Sequence, residues 1–232
     1  MAEASIPNTS RAPLAAQADV DGKRMTSDGL VSIPGHQIGM ADASVADDAQ
    51  SVTWLARIVN DSYGEVEADI FLAGYRRTNE EEIARLIQQG WLAIACVPAD
   101  ENPTSDAANP TSPPSKAPRG KPIGCVVVKQ LSARLGNFGM LALESKHRGR
   151  GLGRALIDFA ENHCREKGCT AMQMELLVPT SFEHAVKLRM QDWYQRLGYR
   201  IIKLGSFDQD YPALATRLAT PADYKVFEKA LV

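Results

Sequence analysis

A strand-like run that enters an amphipathic helix through a glycine-rich basic turn constrains the fold of this chain more than any other feature. The run is NFGMLALES (137–145) and the turn is RGRGLG (148–153). Apolar side chains then recur at helical spacing over 151–167, which predicts a helix with one buried face. Another strand-like run, TAMQMELLV (170–178), follows the stop at Gly168. The segment therefore predicts a strand–helix–strand unit of an α/β domain.

The turn places basic side chains where a helix disfavours them. A helix N-terminus carries about half a positive charge, yet five basic residues lie at or just before this one: Lys146, His147, Arg148, Arg150 and Arg154. Three glycines within residues 149–153 let backbone N–H groups converge into a nest for an anion. We therefore expect a phosphate or pyrophosphate to bind at this turn.

The common phosphate-binding motifs do not fit this turn. The pattern G-x-x-x-x-G-K-[ST] is absent, and G-x-G-x-x-G fails because Arg154 stands where the third glycine belongs. A net charge of −2 argues against a nucleic-acid-binding domain, because such domains are more often basic. A tight turn with solvated arginines and a nucleotide-phosphate binder that uses this same turn are the alternatives.

Two segments lack the large apolar residues that a core needs. Residues 1–30 are rich in Ala, Ser, Pro and Asp, which predicts a disordered tail. Residues 99–122 contain six prolines and separate two β-branched runs. This predicts a strand hairpin whose tip carries a flexible insertion, with a binding or modification loop as the alternative. We expect residues 31–232 to form one domain, which the segment from Phe207 to Val232 completes in its own chain or in a dimer.

Helical spacing predicts three further helices, over 47–64, from a cap at Thr78 to a stop at Gly90, and from about 183 to 197. The four cysteines show no C-x-x-C spacing, so we expect reduced, structural thiols and no metal. No apolar run approaches the roughly 18 residues of a membrane span. Because a signal pattern is also absent from the N-terminal residues, we expect a cytoplasmic protein.

The segment LALESKHRGRGLGRALIDFAENHCREKG (141–168) resembles the signature of the GNAT superfamily of acyl-CoA N-acyltransferases. Arg148, Gly151 and Gly153 occupy the specified positions of the family pattern Q/R-x-x-G-x-G/A. WYQRLGYRI (193–201) resembles the second family signature, a tyrosine on the last core helix before a Gly-aromatic turn. The resemblance implies a single α/β domain with a mixed, mostly antiparallel sheet of about six to seven strands. It also implies a splayed parallel central strand pair and helices on both faces of the sheet.

The resemblance further implies an acyltransferase, an N-acetyltransferase that moves an acetyl group from acetyl-CoA to a primary amine by direct attack. The pyrophosphate would lie on the N–H groups of the turn, and the pantetheine arm would pair with the preceding strand. The cofactor-binding residues implied are Leu141, Leu143, Arg148, Gly149, Arg150, Gly151, Leu152, Gly153 and Arg154. Tyr194 resembles the tyrosine that protonates the departing thiolate in the family. From its place at the edge of an apolar stripe alone, it would be a core residue.

The residue that takes the amine proton is predicted to be Glu175. Many family members carry a glutamate near the position of Asn137, which cannot serve as a base. Because Glu175 is flanked by Met174 and Leu176, we expect burial to raise its pKa toward the working range. Strand alternation equally allows Glu175 to lie on the solvated face, and Glu144 is the reserve.

The sequence does not identify the amine acceptor. NDSY (60–63) and YRR (75–77) fall where the resemblance places one wall of the acceptor groove, and they are otherwise a helix end and a solvated loop. Lys187 stands where the family often has an asparagine that contacts pantetheine. We expect acetyl-CoA and a small-molecule or protein amine as partners, no nucleic acid, no membrane, and a possible homodimer. A non-catalytic acyl-CoA-binding regulatory module is the rival function.

Overall fold

The alternating apolar runs of the sequence form the strands of one mixed sheet. A computed structural model describes residues 24–25, 30–98 and 117–231. The strands of this described part are β1 (Arg24–Met25), β2 (Val31–Ile33), β3 (His36–Met40), β4 (Leu92–Val97), β5 (Lys121–Ser132), β6 (Leu135–Leu143), β7 (Ala171–Pro179), β8 (Arg200–Ser206) and β9 (Ala222–Ala230). Their order across the sheet is β1-β2-β3-β4-β5-β6-β7-β9-β8. β6 and β7 are parallel, and the other neighbouring strands are antiparallel.

Helices cover both faces of this sheet. The helices are α1 (Ala49–Glu67), α2 (Glu80–Gln88), α3 (Leu152–Glu166), α4 (Ala185–Arg196) and two single turns, α5 (Phe207–Asp210) and α6 (Pro212–Ala215). The apolar stripes of α1 and α2 pack with β4, β5 and β6 in one core cluster. Those of α3 and α4 pack on the opposite face, around Phe138 and Tyr199. Burial of two amphipathic layers against one sheet is what stabilises this arrangement.

The predicted fold class is confirmed, including the parallel central pair and the helices on both faces. β1 and β2, of two and three residues, extend the sheet beyond the six to seven strands expected. Arg24 and Met25 fall within the predicted tail, whose residues 1–23 and 26–29 lie outside the described residues. β4 and β5 form the predicted antiparallel hairpin. Residues 99–116 of the predicted insertion also lie outside the described part.

One helix start differs from the prediction, and one of the two alternatives for the C-terminal segment is confirmed. Thr78 is not the cap of α2, because the side chain of Asn79 accepts the N–H of Glu82 at 2.8 Å. The C-terminal strand β9 inserts between β7 and β8 of the same chain, so the segment after Phe207 completes its own sheet. No described helix has both the length and the apolar character needed to cross a membrane.

Candidate active site

The parallel strands β6 and β7 pair at their beginnings and then separate. Their pairing is confined to Leu135–Asn137 against Ala171–Gln173, whereas β7 stays paired with β9 along its whole length. The register of β6 against β5 shifts at Met140, whose φ of 49° is positive. Such a bulge bends a strand and turns it away from its neighbour. The result is a V-shaped opening between β6 and β7, which was predicted from the family resemblance.

The turn between β6 and α3 presents a row of unpartnered backbone donors. Within the described residues, the six consecutive N–H groups of residues 149–154 donate no hydrogen bond. Gly149 and Gly151 adopt positive φ values of 75° and 81°, which glycine reaches at little cost. α1, α2 and α4 each begin with a side-chain cap, but α3 has none. The turn therefore has the geometry of an anion-binding helix N-terminus.

The arginines of the turn differ in their surroundings. Arg148 is anchored to the protein: its Nε donates to the carbonyl of Leu143 at 3.1 Å, and its terminal nitrogens contact Ser62 and Glu65 on α1. The carbonyl of Leu143 also accepts from Ser62 Oγ at 3.1 Å. A carbonyl oxygen has two lone pairs, so any contact of Leu143 with a coenzyme has to use another of its groups. Arg150 is exposed.

A cavity of about 880 Å³ extends along the V-shaped opening. Nine of the eleven predicted site residues line this cavity: Leu141, Leu143, Arg148, Gly149, Gly151, Gly153, Arg154, Glu175 and Tyr194. Arg150 does not line it, and Leu152 instead fills the core beneath the turn, where it is 2% exposed. Arg154 also lies 3.8 Å from Asp158 one turn along α3. The structure thus brings most of the predicted residues to one place.

Tyr194 combines a core position with access to the cavity. Its ring lies among aromatic neighbours, with centroid distances of 6.1 Å to Phe138 and 6.1 Å to Phe227. Burial, together with the nearby Tyr63, raises the pKa of the Tyr194 phenol. Within the described residues its hydroxyl has no hydrogen-bond partner. Tyr194 therefore keeps its proton at neutral pH and has a free donor at the cavity wall.

Glu175 lies on the opposite face of β7 from the one expected for a buried base. Met174 and Leu176 point into the core, so alternation places Glu175 on the other face, where it is exposed. The expectation that burial desolvates this carboxylate is therefore wrong. The phenol of Tyr211 donates to Glu175 Oε2 at 2.6 Å, and both residues line the cavity. Sequence reasoning missed Tyr211 because no local pattern links residues on β7 and after β8.

A buried ion pair lies where the family often has an asparagine. Lys187 Nζ is 2.5 Å from Glu67 Oε1, and the two residues are 3% and 7% exposed. Both line the cavity, with Glu67 from the end of α1 and Lys187 from α4. A carboxylate and an ammonium buried together satisfy each other's charge, which explains how a lysine is accommodated here.

Part of the predicted acceptor wall lines the cavity. Tyr63, Tyr75 and Arg77 line the cavity, and burial raises the pKa of Tyr63 to about 12. Asn60 has a structural role instead: its amide donates to the carbonyl of Thr78 at 3.0 Å and its oxygen accepts from Thr78 N at 3.2 Å. This pair of bonds ties the loop after α1 back to the helix.

The remaining candidates for the base position either lie outside the cavity or carry no ionisable group. Glu144, the reserve base, contacts Lys146 at 3.2 Å and His147 at 3.5 Å and does not line the cavity. Asn137 lines the cavity but has no ionisable group. The described residues contain no group of three or more His, Cys, Asp or Glu side chains that could hold a metal ion.

Known proteins resemble this chain both in sequence and in fold. The family model of the acetyltransferase (GNAT) domain matches residues 116–201, which include the turn and Tyr194. N-alpha-acetyltransferase 30 of Saccharomyces cerevisiae is 33% identical over 82 residues, 34% of this chain and 43% of the yeast protein. Residues 116–201 of the chain thus match the GNAT domain, in agreement with the resemblance of the two sequence motifs. The sequence match to the yeast protein spans less than half of that protein's length.

Solved GNAT structures share the fold at low sequence identity. An aminoglycoside 6'-N-acetyltransferase complexed with coenzyme A has a TM-score of 0.54 at 12% identity, covering 84% of this chain and 97% of that one. Ard1 from Thermoplasma volcanium has a TM-score of 0.52 at 15% identity, covering 85% and 99%. These likenesses establish the GNAT fold over most of the described chain.

Proposed function

We propose that this chain is an acetyl-CoA-dependent N-acetyltransferase that transfers an acetyl group to a primary amine by direct attack. One observation carries the proposal: a single cavity joins the turn with its row of N–H donors, the opening between β6 and β7, and the side chains of Glu175 and Tyr194. Groups that can bind the coenzyme, accept a proton and donate a proton therefore all line one continuous cavity. The similarity to a yeast N-alpha-acetyltransferase supports an amine as acceptor.

The chain's own groups supply the coenzyme-binding contacts of this proposal. The N–H groups of residues 149–154 bind the pyrophosphate, and Arg150 adds charge from the solvent side. The edge of β6 at Leu141 binds the pantetheine arm in the way that a sheet edge takes up an extended peptide. When bound, the coenzyme supplies an acetyl group activated as a thioester.

Two side chains move the protons. Glu175 accepts the proton that the attacking amine loses, directly or through a water molecule. Tyr194 donates its phenolic proton to the sulfur as the carbon–sulfur bond breaks. Because burial raises the pKa of Tyr194, the phenol holds this proton until the sulfur takes it. Glu175 then releases a proton to solvent and Tyr194 regains one. The proposed reaction needs no metal and takes place in the cytoplasm.

Tyr194→Phe separates an enzyme from an acyl-CoA-binding regulatory module. The variant keeps the aromatic packing and removes only the proton donor. For an enzyme we expect thiol release to fall by roughly 100- to 10,000-fold, while the thermal stabilisation by acetyl-CoA stays at the wild-type value. A regulatory module would bind acetyl-CoA equally well in both forms, and the wild type would release no thiol with any amine.

A further inference from the structure

Arg77 occupies the junction between the main cavity and a smaller one. It lies in the loop between α1 and α2 and lines both the cavity of about 880 Å³ and a neighbouring cavity of about 440 Å³. The two cavities share Tyr75, Glu82 and Leu214 as well, so they adjoin each other at Arg77. A group bound where the two cavities adjoin would meet the guanidinium.

The N–H donors of the Arg77 guanidinium have no partner among the described residues. In the part of the chain that the structure describes, it makes no hydrogen bond or ion pair, and its carbon atom lies 5.4 Å from the centre of the Tyr63 ring. Its neighbour Arg76 is exposed and lies 3.6 Å from Glu80. An arginine carries five N–H donors in a planar fork, and those of Arg77 are not among the buried side-chain atoms, so a bound group can reach them.

The carboxylates around Arg77 are held by other partners. Glu67 and Glu82 attract the guanidinium electrostatically, but Glu67 pairs with Lys187 and Glu82 Oε2 accepts from Thr78 Oγ1 at 2.8 Å. The fork is therefore free for an external carboxylate, which it matches with two parallel hydrogen bonds. Glu175 supplies an acidic group elsewhere in the main cavity.

We infer that the acceptor amine carries a carboxylate and that Arg77 binds it while the amine faces Glu175. This inference rests on the proposed transferase function and names its substrate class. The carboxylate is either the α-carboxylate of a free amino acid or an acidic side chain near the amino terminus of a peptide. Arg77 is then the residue that selects among amines.

Matched acceptor pairs test the inference. One pair is a free amino acid and its amide, and the other is a peptide amide that begins with Glu and one that begins with Gln. With wild-type protein, the acidic member of at least one pair should have a kcat/KM roughly 10- to 100-fold higher. Which pair shows the difference tells a free amino acid from an acidic peptide.

Arg77→Gln should remove that preference, chiefly by raising KM for the acidic acceptor, and leave the uncharged acceptor unchanged. Arg77→Lys keeps the positive charge without the planar fork, so it should retain part of the preference for the acidic acceptor. Arg85→Gln, an exposed arginine of α2 that lines neither cavity, is the matched control and should behave as wild type. Melting with acetyl-CoA verifies that each variant is folded and binds the coenzyme.

Two results would overturn the inference. Equal kcat/KM for the members of both pairs, with efficient turnover, would reject the carboxylate subsite and keep the transferase. An equal loss on acidic and uncharged acceptors in Arg77→Gln would assign the arginine a structural role. Failure of the transferase proposal itself looks different: the wild type would bind acetyl-CoA and release no thiol with any acceptor.

Discussion

Tyr211 donates a hydrogen bond of 2.6 Å to Glu175 and so joins the turn after β8 to the strand that borders the cavity. Burial and this bond raise the pKa of Tyr211, so the phenol stays protonated and remains the donor. Glu175 keeps its second carboxylate oxygen for another partner. The pair therefore holds an exposed carboxylate in a fixed direction without neutralising it.

Glu175→Gln should reduce turnover without affecting coenzyme binding. The amide has the shape of the carboxylate but cannot accept the amine proton, so we expect kcat to fall by roughly 100- to 10,000-fold. Thiol release at saturating acetyl-CoA measures the effect, and the stabilisation by acetyl-CoA should equal that of the wild type. Activity within a few-fold of the wild type would place the base elsewhere.

Tyr211→Phe should lower kcat by roughly 10- to 150-fold, because a hydrogen bond to a charged group contributes about 1.5–3 kcal/mol. The same substitution in the Glu175→Gln background should have almost no further effect, since Tyr211 acts through Glu175. A purely structural role of Tyr211 would give the same loss in both backgrounds. Thiol-release kinetics of the four proteins provide the comparison.

Gly151→Ala should weaken coenzyme binding. Its φ of 81° is strained for any residue with a Cβ atom, at a cost of about 1–2 kcal/mol, and relief of this strain would turn the N–H row away from the anion. We expect the Kd for acetyl-CoA, measured by calorimetry, to rise about tenfold. Gly153→Ala is the control, since its Cβ would meet Trp193 no closer than 3.6 Å. Equal affinity in both variants would contradict the role of the turn.

The strand–turn–helix–strand unit was predictable because its signals are local. Glycines with positive φ, a helical stripe and β-branched runs each act over a few neighbouring residues, and the structure follows them closely. Strands β1 and β2 carried no such signal, since two or three residues are too few to show alternation. These short strands exist because β2 pairs with the edge of β3, and β1 in turn pairs with β2.

The long-range contacts around the cavity could not be predicted from local sequence patterns. Glu67 and Lys187 are 120 residues apart in sequence, and Tyr211 and Glu175 are 36 apart. Periodicity predicts which face of an element is buried, but not which polar side chain of another element lies opposite. Arg148 illustrates the limit: the motif places it correctly in the turn, yet its contacts with Ser62 and Glu65 come from α1.

The pair of Glu67 and Lys187 should contribute to stability only as a pair. Removing one partner leaves a buried charge, so Lys187→Met and Glu67→Gln should each cost about 3–5 kcal/mol of unfolding free energy. The double variant should lose clearly less than the sum, because no charge is then left unpaired. Urea unfolding of the four proteins measures this coupling, and strictly additive losses would mean that the two residues act independently.

Thermal unfolding with and without saturating acetyl-CoA, beside ATP as control, tests the central claim most directly. At about 100 times the Kd, binding adds about 2.7 kcal/mol, which for a domain of this size is a rise in Tm on the order of 5–10 °C. We expect that rise with acetyl-CoA and none with ATP. A chain stabilised by ATP and not by acetyl-CoA, or by neither, would contradict the assignment of the N–H row of residues 149–154 to the coenzyme.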